Sequence, residues 1–254
     1  MKIIDLATPI EDGLEVDLPQ QRARIEYKDH QTSLPEMLAC FPGVTADQLT
    51  GKCGWAVEQI SLSTHTGPHL DAPWHYDPVM NGGEKAWTID QIPLEWCIGD
   101  GVMVDFSHKP DGYVCTSEDF KAYFQKVGYT LKAGDIVLIH TSAPEAWGRM
   151  EYMKQGCGIG REATLWLCGQ GVHITGTDAW SWDAPLPLEA EEFAKDGDPS
   201  IIWQGHKAGR ETIYCHMEKL CNLDQLPPFG FRVIALPIKI TGASAGWVRP
   251  VALL

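Results

Sequence analysis

Apolar and polar residues alternate through residues 55–63 (WAVEQISLS), the period-two signature of a strand. Clustered aliphatic and β-branched residues predict further strands at 3–7, 101–106 (GVMVDF), 135–141 (DIVLIHT), 172–176 and 232–240 (RVIALPIKI). Residues 116–127 carry their apolar side chains at helical spacing. Thr116 or Ser117 can cap that helix, and Glu118 and Asp119 sit in its first turn. A second helix is expected over 160–170. Strands interleaved with helices point to an α/β fold, whereas the order of strands in the sheet is not written in this pattern.

Residues 20–54 break the rhythm. They are polar, irregular and punctuated by Pro35, Pro42 and Gly43, which predicts an N-terminal excursion with short helical pieces. Long excursions of this kind are often functional lids. The remainder gives no sign of repeats or low complexity, and the chain is read as one domain spanning 1–254.

Composition narrows the function. An apolar fraction of 44% with ten tryptophans is enough for a real core and excludes general disorder. The net charge of −14 argues against general affinity for nucleic acid, because phosphates are repelled. A small anionic substrate is still allowed, since a bound metal can outweigh the global field. The eight cysteines form no C-x-x-C pair, so zinc ribbons and thioredoxin-type redox motifs lack support. The opening MKIIDLATPIEDG turns acidic too early for a signal peptide, and no apolar run reaches the ~18 residues of a membrane span. A cytoplasmic protein with reduced thiols is expected.

The densest chemistry lies in residues 65–75, HTGPHLDAPWH. His65, His69, Asp71 and His75 share one parity, and an extended chain turns residues of one parity to one face. Pro68 and Pro73 disfavour helix and favour that extended reading. Three imidazoles and a carboxylate on one face form a ligand set suited to zinc, manganese or iron. Mixed His/Asp ligation without cysteine is the pattern of catalytic rather than structural metals. A single histidine would ordinarily be structural; their convergence changes the reading. His30, His108, His140, His173, His216 and Asp178 are read as structural. Trp74 and Trp87, near this segment, are the candidate walls of an aromatic substrate pocket, while Trp180 and Trp182 are read as core.

This segment resembles the H-x-G-T-H-x-D-x-P-x-H signature of the cyclase-like family of metal-dependent hydrolases (kynurenine formamidase / isatin hydrolase type). His65, Gly67, His69, Asp71, Pro73 and His75 match it, and Pro68 stands where the family usually has Thr. His206 and Glu218 match the family's H-x(11)-E spacing, EKLCNL resembles its continuation, and the C-terminal ITGASAGWVRPVAL resembles its closing strand and turn. The likeness covers residues 55–254 and is thinnest over the excursion.

The resemblance implies a swivelling β/β/α-type fold with a mixed sheet or barrel-like core, assembled as a homodimer or larger homo-oligomer. It implies that His65, His69 and Asp71 bind one metal, and that Asp71 bridges to a second held by His206 and Glu218. His75 is then the acid/base. Manganese or zinc is expected, as one or two ions. The implied activity is opening of an amide or lactone in a small aromatic or cyclic substrate, such as an isatin-like cyclic amide or N-formyl arylamine. Two alternatives stand beside it. His69, Asp71 and a distant histidine also make the 2-His-1-carboxylate set of a non-haem iron oxygenase, and the Thr-to-Pro change at Pro68 invites a non-catalytic metal-binding member.

Overall fold

The computed structural model describes residues 1–254. Nine strands form one mixed sheet: β1 (Ile3–Asp5), β2 (His69–Asp71), β3 (Ile98–Asp105), β4 (Ile136–His140), β5 (Ile174–Thr177), β6 (Cys215–Glu218), β7 (Phe229–Ile234), β8 (Ala245–Trp247) and β9 (Val251–Leu253). Their spatial order is β1-β9-β7-β3-β4-β5-β6-β2-β8. β3, β4, β5 and β6 run parallel, and the remaining pairings are antiparallel. Six helices accompany the sheet: α1 (Leu34–Cys40), α2 (Pro73–Tyr76), α3 (Ser117–Val127), α4 (Arg161–Gly169), α5 (Leu186–Asp196) and α6 (Gln204–Lys207). The mixed α/β class expected from the pattern is the one observed.

The central strands are buried on both faces, which is why IVLIH reads as a continuous apolar run rather than an alternation. Ile136 and Leu138 enter one core, and Val137 and Ile139 enter the other. The second core holds Phe120 and Phe124 of α3 and Leu167 of α4. α3 starts where the sequence predicts. The Thr116 hydroxyl accepts from the Asp119 amide, the Asp119 carboxylate accepts from the Thr116 amide at 2.9 Å, and Gly128 closes the helix at φ 71°.

Three expectations change. The strand expected over 232–240 is β7, which starts at Phe229 and stops at Ile234, ahead of Pro237, whose missing N–H cannot continue a ladder. The alternating stretch at 55–63 forms a strand at Val57–Ser61, but its partner is Arg24–Lys28 of the excursion, and all five of its residues are exposed. Its alternation therefore marks no core face. α5 lies where no element was expected.

The excursion is ordered rather than formless: it contains one strand, α1 and two short 3-10 turns. No helix of the structure is long and apolar enough to cross a membrane. All eight cysteines are unpaired.

Candidate metal centre

Residue parity divides β2 and β6 between core and site. Leu70, Cys215 and Met217 pack into the first core, so His69, Asp71, His216 and Glu218 are turned to the opposite face. In the antiparallel register His216 stands across from Asp71, and Glu218 across from His69. Ala245 of β8 flanks Asp71 on the other side.

The two ends of the signature bend away from the extended path expected for 65–75. Only His69–Asp71 is strand. Gly67 turns the chain with φ +67°, and a Cβ there would lie 2.7 Å from Ile10 Cγ1, so the turn demands glycine. Pro73 opens α2 instead of prolonging a strand, because its fixed φ and absent N–H suit the first helical turn. The extended reading of the whole segment is thus corrected, yet the bends bring His65 and His75 over the same carboxylate.

That carboxylate is Asp71, fully buried at the end of β2. Its Oδ1 lies 2.9 Å from His65 Nδ1 and 3.2 Å from His69 Nε2. Its Oδ2 lies 3.2 Å from His216 Nε2 and 3.8 Å from both His75 Nε2 and His206 Nε2. Glu218 completes the set, with Oε1 3.2 Å from His216 Nε2 and 3.6 Å from His206 Nε2, and Oε2 3.6 Å from His69 Nε2. Ligand atoms of Asp71, His206, His216 and Glu218 all lie within 4.8 Å of one another, as do those of His65, Asp71 and His75.

Whether this set suits a cation can be judged from its hydrogen bonds. His69 Nδ1 faces the Gly67 carbonyl at 2.9 Å, which places the ring proton there and leaves Nε2 with a lone pair. His206 Nδ1 is held by the Asp183 carboxylate, which also accepts the His206 amide at 3.0 Å. Its Nε2 lone pair likewise faces inward. Lone pairs aimed at carboxylates repel unless something positive stands between them. His69 Nε2 and both Asp71 oxygens are buried without a hydrogen-bond partner, a costly arrangement in a protein interior. The donor set fits a divalent ion.

Ionisation follows the same logic. Burial opposes charge on Asp71, but His75, His69 and His65 draw its pKa well below the usual carboxylate range. Burial also opposes the charge on Glu218, but the His216 hydrogen bond together with the charges of His216 and His69 outweighs it, bringing the pKa down to about 2. Burial disfavours a charged His216, yet Asp71 and Glu218 raise it to about 9. His75 goes the other way: burial, helped by His65 and His206, lowers it to about 3 against the pull of Asp71.

A cavity of about 210 Å³ opens onto this cluster, with His65, His75, His206 and Glu218 on its floor. Leu18, Gln21, Trp180, Ser181, Leu186, Trp203 and Lys219 form its walls. Trp74 and Trp87 are not among them. Trp74 is 41% exposed to solvent, and Trp87 stacks on Trp96 against the first core. The aromatic walls are Trp180 and Trp203 instead. Trp203 adopts the left-handed conformation (φ 58°), rare for a bulky residue, and stacks on His206 at 4.2 Å. Trp182, expected in the core, is buried there and stacks on His216.

Of the predicted site residues, His65, His69, Asp71, His75, His206 and Glu218 meet in one cluster. His216, read as structural from sequence, meets them as well; its position two before Glu218 on a strand was the available signal. Asp183 behind His206 gave none, because nothing local marks a carboxylate as the partner of a histidine 23 residues away.

Together these features define a mixed α/β protein built around a buried histidine–carboxylate centre. The chain belongs to the Cyclase family, whose model matches residues 4–184. It is similar to kynurenine formamidase from Erythrobacter litoralis, with 28% identity over 77% of this chain and 76% of the relative. Kynurenine formamidase from Bacillus cereus is 25% identical over 89% of this chain and 96% of the relative. Among solved structures, isatin hydrolase A from Ralstonia solanacearum superposes with a TM-score of 0.75 at 24% identity, covering 100% of this chain and 92% of that one. An isatin hydrolase bound to the product analogue thioisatinate gives 0.76 at 19% identity, covering 100% and 92%.

Proposed function

We propose that this chain is a metal-dependent hydrolase that opens a non-peptide C–N bond in a small aromatic or cyclic substrate. An isatin-like cyclic amide or an N-formyl arylamine is the favoured case. The observation that carries this reading is Asp71, whose two oxygens are buried, unpartnered and ringed by imidazoles. The names of the relatives, kynurenine formamidase in sequence and isatin hydrolase in fold, support the same bond type.

In this reading His65, His69, Asp71, His206, His216 and Glu218 would hold one or two manganese or zinc ions. Such an ion supplies Lewis-acid polarisation of a carbonyl and acidifies water. The protein's own groups do the rest. His75 lines the cavity with its Nε2 3.8 Å from Asp71 Oδ2, so its ring is placed to take a proton from water and pass it to the leaving nitrogen. Trp180, Trp203, Leu18 and Leu186 give the cavity apolar walls that suit an aromatic ring and exclude water around the reacting carbonyl.

We read residues 1–254 as one domain. Eight unpaired cysteines favour a reducing, cytoplasmic setting. Tyr27 and Ile60, exposed on one face of the two-stranded sheet that Arg24–Lys28 makes with Val57–Ser61, favour a homo-oligomer. The test is an absorbance assay on isatin and on N-formylkynurenine with protein loaded with manganese or zinc. Turnover that chelation removes and metal restores is expected. No turnover of either substrate, nor of other aryl amides and lactones, would overturn the reading.

A further inference from the structure

Most of the clustered side chains ride on regular elements: His69 and Asp71 on β2, His216 and Glu218 on β6, His75 on α2 and His206 on α6. His65 does not. It lies in the loop between the Val57–Ser61 strand and β2. Yet its Nδ1 stands 2.9 Å from Asp71 Oδ1 and its Nε2 3.0 Å from the Ser244 hydroxyl. No strand or helix fixes that placement, so other contacts must hold the loop.

One of them is a lysine. Lys219 Nζ donates to the His65 carbonyl at 2.7 Å and to Asp17 Oδ1 at 2.6 Å, and it lies 5.1 Å from the centre of the Trp180 ring. Asp17 Oδ1 also accepts from Trp180 Nε1 at 2.8 Å. Lys219 and Asp17 are both buried, which is rare for such side chains. The backbone of Lys219 is unusual too. Directly after Glu218 it takes the left-handed conformation at φ 61°, a costly one for a long side chain. Its amide donates to the Ala179 carbonyl at 3.0 Å, and its carbonyl accepts the Thr8 hydroxyl at 2.8 Å. A buried ion pair adds little net stability over apolar residues of the same volume, so fastening the fold is a weak reason for this arrangement.

We propose that Lys219 is a positioning residue for His65: its ammonium, pinned by Asp17, grips the His65 carbonyl and so keeps that imidazole over Asp71. The end of β6 thereby orders the one clustered histidine that no regular element carries. Groups that orient a ligand are worth roughly 10- to 100-fold in metal affinity. This role rests on the metal-holding reading above and concerns how the loop ligand is held.

The test is a double-mutant cycle on manganese affinity, measured by calorimetry on metal-free protein, with thermal melting to confirm folding. Asp17→Asn/Lys219→Met removes both charges together, so neither is left buried and alone. It should weaken manganese binding by roughly 10- to 100-fold in the wild-type background. In a His65→Ala background the same pair should cost no more than about twofold, because the group it positions is gone. Losses that multiply in the combined variant, or no loss in the wild-type background, would overturn the role of Lys219 and leave the metal centre intact. His65→Ala binding manganese as tightly as wild type would overturn it too. Wild type that binds no manganese would overturn the metal-holding reading itself. Should the pair variant fail to fold, Lys219→Gln, which removes the charge but leaves an amide to donate to Asp17, takes its place in the cycle with the same outcomes.

Discussion

His216 Nε2 lies 3.2 Å from Asp71 Oδ2 because the two residues face each other across the antiparallel β6–β2 pair. The same register sets Glu218 opposite His69. A one-residue slip of β6 would turn His216 and Glu218 into the apolar core occupied by Leu70 and Met217. The register is therefore held by the core on one face and used by the site on the other.

This pairing should make metal capture depend on pH. With no ion bound, His216 keeps its proton up to a pKa of about 9, and a ligating imidazole must give that proton up. Affinity for manganese or zinc should rise about tenfold per pH unit from pH 7 towards 9, with proton release on binding. Calorimetry in buffers of different ionisation enthalpy checks this. For the metal-free protein the sign is opposite. A histidine whose folded pKa is raised contributes stability that is complete below its unfolded value of about 6.5 and is lost as pH rises through 9. A flat affinity between pH 7 and 9 would contradict the placement of His216 among the ligands.

Asp183 never touches the cavity, yet it fixes the tautomer of His206 through Nδ1. Asp183→Asn should lower metal affinity by roughly 10- to 100-fold, the usual effect of removing a group that orients a ligand. Excess metal should then recover most of the activity. Metal titration followed by turnover at saturation separates this from a direct loss of chemistry.

His75 is assigned to proton transfer rather than to ligation. Its Nε2 is 3.8 Å from Asp71 Oδ2, and its ring packs 4.0 Å from that of His65. His75→Ala should reduce kcat by roughly 10²- to 10⁴-fold while the bound metal content is unchanged. A variant that loses the metal along with activity would make His75 a ligand.

Much of this centre is legible in the sequence because β-strand parity and short motif spacing are local properties. His69 and Asp71 sit two apart on a real strand, and the α3 capping box is written in Thr116 and Asp119. The sequence misleads where local signals compete. Pro73 disfavours mid-helix positions but favours a helix start, so the same residue that suggested an extended chain begins α2. Trp203 reaches the cavity through a left-handed backbone that no tryptophan signals, whereas Trp74 is close in sequence and points elsewhere. Proximity along the chain was a poor guide to the cavity wall, which residues 18–21, 180–186 and 203 assemble from distant segments.

The central claim is that Asp71 and its histidines exist to hold a divalent ion. Elemental analysis of wild type and Asp71→Asn, each dialysed against excess manganese or zinc and then desalted, addresses it directly. The account predicts stoichiometric metal in the wild type and a near-complete loss in Asp71→Asn, with both proteins folded. Equal metal in the two, or none in the wild type, would contradict it.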